Sequence, residues 1–210
     1  RNAERILQLV NQLMDIRKID KGQMSLMFKK AEIVSFTRDL LETFEQQTRV
    51  KKLDLKFHTS APEIEMWIDP KNFDKIILNL LSNACKFTPE NGQVEISLST
   101  GEDTHLPQNA PLRRYVELTV ADSGIGIAST EREHIFERFY QIRNSQNNSN
   151  IGTGIGLHLT RSLVELHYGN IHVEDNGEGR PGSRFIIRLP LGNGHLKKEE
   201  IEEATTADTL

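Results

Sequence analysis

The sequence predicts an α/β fold: an α+β two-layer sandwich, its mixed, largely antiparallel sheet carrying helices on one face, with a single separate helix in front. Two observations predict it. Stretches with apolar residues at helical spacing are interspersed with short runs that alternate apolar and polar residues, and the alternating runs come in neighbouring pairs. With 210 residues there is room for one ample core and a smaller piece.

In chain order, residues 1–20 place Ile6, Leu9, Val10, Leu13, Met14 and Ile16 in an apolar stripe, and Gly22 stands where such a helix would end. A lone helix of this length is marginal in water, so it wants a partner, either another helix or the body of its own domain. The chain starts in mid-helix, which predicts a fragment of something longer. "SLMFKK" (25–30) reads as a short strand, and "AEIVSFTRDLLETFEQQTRV" (31–50) as one amphipathic helix. "LDLKFHT" (53–59) alternates, and "IEMWID" (64–69) is a short β-rich run. Residues 70–87 read as a helix. "GQVEISLST" (92–100) and "RYVELTVAD" (114–122) read as strands joined by a proline-containing loop. "NSQNNSN" (144–150) is wholly polar and reads as a loop, followed by a helix at about 155–168. "NIHVEDN" and "SRFIIRLPL" form the expected last hairpin, and the charged stretch after Leu191 reads as a linker.

Composition narrows the function classes. Hydrophobic content of 37% and charged content of 27% suit a soluble globular protein. A net charge of -4 advertises no surface for nucleic acid, so any anion site must be local. The one cysteine, Cys85, excludes an internal disulfide framework and fits a reducing compartment. No apolar run approaches the roughly 20 residues needed to span a bilayer.

Four constellations carry possible chemistry. On helix 70–87, Asn79, Asn83 and Lys86 stack at i, i+4 and i+7, with Asn72, Lys75 and Ser82 on the same arc. This is either an ordinary wet face or a stripe aimed at a ligand. Asparagine is a poor helix former, whereas its amide oxygen suits a hard cation such as Mg²⁺ and lysine suits a phosphate. In "VADSGIGI" (120–127), Asp122 shares the apolar face of its strand with Val116, Leu118 and Val120. A carboxylate there needs a donor. Either it caps a tight turn, or it accepts from an adenine amine while Gly124 and Gly126 let the ring approach. "GTGIGL" (152–157) places three alternating glycines at the start of a helix, either a hinge or an anion site at a helix N-terminus. It follows a polar loop and has Leu157 where a dinucleotide fingerprint wants glycine, so that reading fails, and no P-loop motif is present. Lastly, "FERFYQIR" (136–143) sets Phe136, Phe139 and Tyr140 between these motifs, as a hydrophobic plug or as the anchor of a moving loop.

Taken in order, the series resembles the catalytic ATP-binding domain of sensor histidine kinases, within the group that includes gyrase-type, chaperone and mismatch-repair ATPases. "NLLSNACKFTP" is similar to the N box, "DSGIGI" to the first glycine box, "FERFY" to the aromatic box, "GTGIGL" to the second glycine box and "GSRF" (182–185) to the last short one. The resemblance implies ATP and Mg²⁺ as cofactors. It puts Asn79 at the catalytic position, Asn79 and Asn83 near the phosphates with Asn83 on Mg²⁺, Lys86 on a phosphate and Asp122 on the adenine amine. It adds Gly124, Gly126, Ile127, Phe136, Tyr140, Arg143, Gly152, Thr153, Gly154, Ile155, Gly156 and Leu157 to the nucleotide site. ATPase branches of that group carry glutamate at the place of Asn79, and asparagine cannot serve as that general base. The implied activity is therefore γ-phosphoryl transfer to a histidine, with a hydrolytic ATPase or a degenerate nucleotide-binding scaffold as the alternatives.

The resemblance also divides the chain: residues 1–22 as the second helix of a dimerisation hairpin, 23–191 as the catalytic domain, and 192–210 as a linker of the kind found in hybrid kinases. None of the seven histidines lies in the family's phosphoacceptor context, so the chain should bind ATP without phosphorylating itself, and should dimerise weakly. The implied partners are the dimerisation and phosphoacceptor helices and a response-regulator receiver domain. The implied location is cytoplasmic, with anchoring of the full-length protein in the inner membrane left open. Gln141 stands where many relatives carry a basic residue, which leaves Arg143 and Arg138 as candidate cations for the γ-phosphate.

Overall fold

A computed structural model describes residues 2–142, 152–177 and 179–202. Helix α1 spans Asn2–Asp20. It is closed by Gly22 at φ +62°, where Gln23 N–H reaches back to the Lys18 carbonyl at 2.8 Å. Strand β1 (Lys29–Glu32) pairs antiparallel with β3 (Glu65–Ile68) in a two-stranded sheet. Between them lie α2 (Ile33–Glu42), α3 (Glu45–Val50) and β2 (Asp54–Thr59). Helix α4 (Pro70–Phe87) leads to β4 (Gln93–Glu102) and β5 (Arg114–Asp122), then α5 (Gly156–Leu166), β6 (Asn170–Asp175) and β7 (Ser183–Pro190). The main sheet has five strands in the order β2-β4-β5-β7-β6, antiparallel except for the parallel β2–β4 pair. This is the mixed, largely antiparallel α/β arrangement that the alternation predicts.

The core lies between sheet and helices. Val94, Ile96 and Leu98 on β4 and Val116, Leu118 and Val120 on β5 are buried against Ile76, Ile77, Leu80 and Leu81 of α4 and Leu163 and Val164 of α5. The opposite alternates face outward, where Glu117 and Arg188, cross-strand neighbours, pair at 2.8 Å. Helix α4 has firm local reasons to begin and end. Asp69 caps it by accepting from Asn72 N–H at 3.1 Å, Pro70 sits at the first position, and Thr88 and Pro89 follow its last turn. Lys51 donates to the Cys85 and Lys86 carbonyls at 2.7 and 3.0 Å, satisfying groups the helix leaves open.

Three local expectations shift. The helix expected over 31–50 is broken at Thr43 and Phe44, where the Thr43 hydroxyl and Phe44 N–H bond to the Leu40 and Leu41 carbonyls and Phe44 turns into the core. The strand expected at 25–30 begins four residues later, leaving Leu26 and Phe28 as buried plugs. The charged stretch after Leu191 does not leave the surface at once. Phe28 and Ile201 form a parallel bridge, and the Tyr168 hydroxyl donates to the Glu200 carboxylate at 2.7 Å.

His167 ties these parts together and makes stability pH-dependent. It is 2% exposed, Nδ1 donates to the Leu163 carbonyl at 2.7 Å, and Nε2 accepts from Asp69 N–H at 3.3 Å. Burial pushes its pKa below the ordinary histidine value, outweighing the pull of the Leu163 carbonyl and Asp69. The unfolded chain therefore takes up the proton first. The neutral-ring stability is complete above roughly pH 6.5 and declines as pH falls below it, by up to about 1.4 kcal/mol per unit for one proton. Urea unfolding between pH 7.5 and 5 should show this slope, and His167→Asn should flatten it.

Candidate functional site

The strand β5, the helix α4 and the start of α5 converge on one cleft of about 970 Å³. Asp122 ends β5 on its buried face, as period two requires, and is 6% exposed. Its Oδ1 accepts from Gly124 N–H at 2.8 Å and its Oδ2 from the Ser183 hydroxyl at 2.7 Å. Burial raises its carboxyl above the usual carboxylate value, against the pull of the Ser183 hydroxyl and the Gly124 and Ser183 N–H groups. The backbone packs closely around it. A Cβ on Gly124 would lie 2.6 Å from the Phe87 carbonyl oxygen, and one on Gly126, at φ +72°, 3.2 Å from that of Gly182. These glycines leave the buried carboxylate facing an open slot, with Gly126, Ile127 and the strongly exposed Ile125 on its rim.

The α4 stripe is not one solvent face. At its start Asn72 is buried, and Lys75 reaches Asp15 of α1 at 2.7 Å. One turn on, Asn79 Nδ2 donates to Thr160 Oγ1 of α5 at 2.7 Å. Asn83 and Lys86 line the cleft beyond, the Lys86 ammonium lying 4.8 Å from the centre of the Phe87 ring and close to the Gly152 backbone. Phe87, the last residue of the helix, lines the cleft and stands partly exposed.

The glycine run closes the far end. Phe139, at φ +61°, donates its N–H to the Gly154 carbonyl at 2.8 Å, and a Cβ on Gly154 would lie 2.6 Å from the Phe139 carbonyl carbon. Gln141 Nε2 donates to the Gly152 carbonyl at 2.8 Å. The aromatic segment and the glycine run are thus fastened together. Gly152, Thr153, Gly154, Gly156, Leu157 and Tyr140 line the cleft. Gly124, Phe136 and Ile155, expected in the site, are not among its lining residues: Phe136 and Ile155 are buried in the core, Phe136 edge-on against Phe185 at 6.3 Å, and Gly124 packs on the Phe87 carbonyl. Arg138 points away to Asp20 of α1 and His158, and Arg143 lies outside the described residues.

Two contributors were not legible beforehand: Ile6, Gln8, Leu9 and Gln12 of α1 line the cleft, and Thr160 holds Asn79. The "GSRF" stretch is legible as a motif, but not that its Ser183 holds Asp122. Among the described residues no group of three or more His, Cys, Asp or Glu is placed to hold a metal. Mg²⁺ usually binds through one or two carboxylates plus ligand phosphates, and on the α4 side of this cleft the oxygen available to it is the amide oxygen of Asn83.

Residues 68–193 match the family described as histidine kinase-, DNA gyrase B-, and HSP90-like ATPase. Histidine kinase P4 of Formosa agariphila is 32% identical over 95% of the chain, and sensor histidine kinase TmoS of Ectopseudomonas mendocina 38% over 91%. Hybrid signal transduction histidine kinase D of Dictyostelium discoideum is 34% identical over 99%. The chain spans 14%, 18% and 13% of those relatives' own lengths. Among solved structures, the nucleotide-free catalytic domain of histidine kinase ThkA aligns with TM-score 0.64 at 25% identity, over 79% of this chain and 99% of that one. Full-length ShkA in complex with AMPPNP aligns with TM-score 0.72 at 25% identity, over 91% of this chain and 37% of that one.

Proposed function

The chain belongs to the histidine kinase-, DNA gyrase B- and HSP90-like ATPase family, and on that premise we propose that it is the ATP-binding catalytic domain of a sensor histidine kinase. In this reading it hands the γ-phosphoryl group of ATP to a histidine on a helix outside this chain. The observation that carries the reading is the residue at the head of the cleft stripe. Asn79 is a neutral carboxamide tied to Thr160, with no basicity to activate water. A site that binds ATP but lacks that base waits for another nucleophile, and phosphoryl transfer then needs mainly positioning and charge neutralisation.

The roles follow from place. Asp122 takes the adenine amine. The Gly152–Gly156 backbone and the start of α5 receive the phosphates, and Lys86 adds a cation beside them. Asn83 would hold Mg²⁺, which would supply positive charge to offset that of the phosphates. Helix α1 is read as the second helix of a dimerisation hairpin, because Ile6, Leu7, Val10, Leu13 and Met14 remain exposed on it. A receiver domain is the proposed onward acceptor.

Calorimetry with ADP and Mg²⁺ tests the site, and [γ-³²P]ATP tests the reaction. With a helical hairpin bearing an acceptor histidine supplied in trans, acid-labile phosphate should appear on the hairpin. Without it, phosphate release should be slow. Rapid acceptor-independent release would favour a hydrolase, and a folded chain that binds no nucleotide would favour a scaffold.

A further inference from the structure

Thr160 lies in the interior of α5 and is 1% exposed, between Leu159 and the fully buried Leu163. Packing alone would favour valine there, which has the same shape and no hydroxyl to desolvate. The hydroxyl is satisfied by Asn79, whose Nδ2 donates to it at 2.7 Å across the α4–α5 contact. The other end of the carboxamide is boxed as well. A Cβ on Gly156 would lie 2.3 Å from Asn79 Oδ1 and 3.0 Å from its Cγ, so the flat amide rests against the first residue of α5. One amide hydrogen is committed inward, and the oxygen is left beside the glycine that opens the helix.

We propose that Thr160 is the positioning residue for Asn79: its hydroxyl fixes which end of the carboxamide faces the phosphate-binding start of α5. Without that bond the two ends of an amide are nearly equal in size, both lie beside Gly156, and among the described residues no other hydrogen bond holds the nitrogen. Asn79 then samples orientations that turn a donor toward the place an acceptor is needed. The inference rests on the nucleotide-site reading above, since it assumes that phosphates lie beside Gly156.

The test uses this chain, its Thr160→Val and Thr160→Ser variants, and two ligands that share adenosine, AMP and AMPPNP with Mg²⁺. Thr160→Val should weaken AMPPNP about tenfold and leave AMP within about twofold. Thr160→Ser should keep both near wild type, because it retains the hydroxyl. In NMR spectra the Asn79 side-chain amide should be protected from exchange in the wild type and Thr160→Ser, and unprotected in Thr160→Val. In an Asn79→Ala background, Thr160→Val should change AMPPNP affinity no further. Equal weakening of AMP and AMPPNP, or an effect that persists without Asn79, would mean ordinary core damage and overturn the proposal. A folded wild-type chain that binds neither ligand would overturn the nucleotide reading itself, a result distinct from either of those.

Discussion

Asp122→Asn should weaken ADP binding by about 100-fold while the domain stays folded, a loss of roughly 2–3 kcal/mol for a buried bond to a charged acceptor. The fold should survive because the amide oxygen can still accept from Gly124 N–H and the Ser183 hydroxyl can turn from donor to acceptor, so that the Ser183 N–H loses its acceptor while the rest of the network holds. The nucleotide has no such freedom. An adenine amine would meet an amide N–H where it had met a carboxylate oxygen. Inosine diphosphate supplies the converse test, because the 6-oxo group that replaces the amine repels a carboxylate and welcomes an amide. The wild type should reject it, and the variant should narrow or invert the preference. Because Asp122 is held above the usual carboxylate value by burial, ADP affinity should also fall on acidification sooner than an ordinary carboxylate would allow. Calorimetry of both chains with both nucleotides decides it, and an unchanged ADP affinity in a folded variant would sink the adenine assignment.

Much of the fold was legible because local and tertiary signals agree. Helix α4 carries its cap, its N-terminal proline, its apolar face and its closing Thr-Pro within one stretch, and it is observed over the expected residues 70–87. Strand β5 alternates cleanly and is paired on both sides. The misses occur where distant contacts decide. Thr43 and Phe44 interrupt a good helical pattern because Phe44 is drawn into the core. The tail looked like linker because its composition is charged. Its docking depends on Phe28 and Tyr168, far away in sequence, and Tyr168 adopts φ +62°, a conformation uncommon for a tyrosine.

The site divides in the same way. Asp122 could be placed by period two, and the asparagine stripe by helical spacing, because one element fixes each of them. What those side chains touch needed the assembled fold. Thr160 gives no signal in a helix that already has an apolar face, and Ser183 is one small residue after a glycine. The contribution of α1 depends on how a separate helix lies over the cleft, which no pattern within residues 1–20 encodes. The resemblance to a family supplied roles, whereas the structure supplied the partners that orient them.

Gly182→Ala should be the most damaging single methyl in the molecule, at about 3 kcal/mol or more. Gly182 sits at φ +100°, which strains any L side chain, and its added Cβ would fall 1.7 Å from the Asp122 carbonyl oxygen and 2.6 Å from its carbonyl carbon. That oxygen cannot easily give way. It accepts from Asn176 Nδ2 at 2.6 Å, and it belongs to β5, which is bonded to β4 and β7 on its two sides. The backbone term costs roughly 1–2 kcal/mol and the overlap roughly 1–3 kcal/mol more. In a domain of this size that lowers Tm by about 6–12 °C. Gly177→Ala separates the two terms, since Gly177 has φ +92° and no neighbour within 4 Å of its added Cβ among the described residues. It should lose only the conformational part and keep its affinity for ADP. Gly182→Ala should lose affinity as well, because Ser183, the next residue, must stay in place to hold the Asp122 carboxylate. Equal Tm shifts in the two variants would mean that β7 can move away from Asp122, and the close approach that shapes the Asp122 end of the cleft would then not be a constraint.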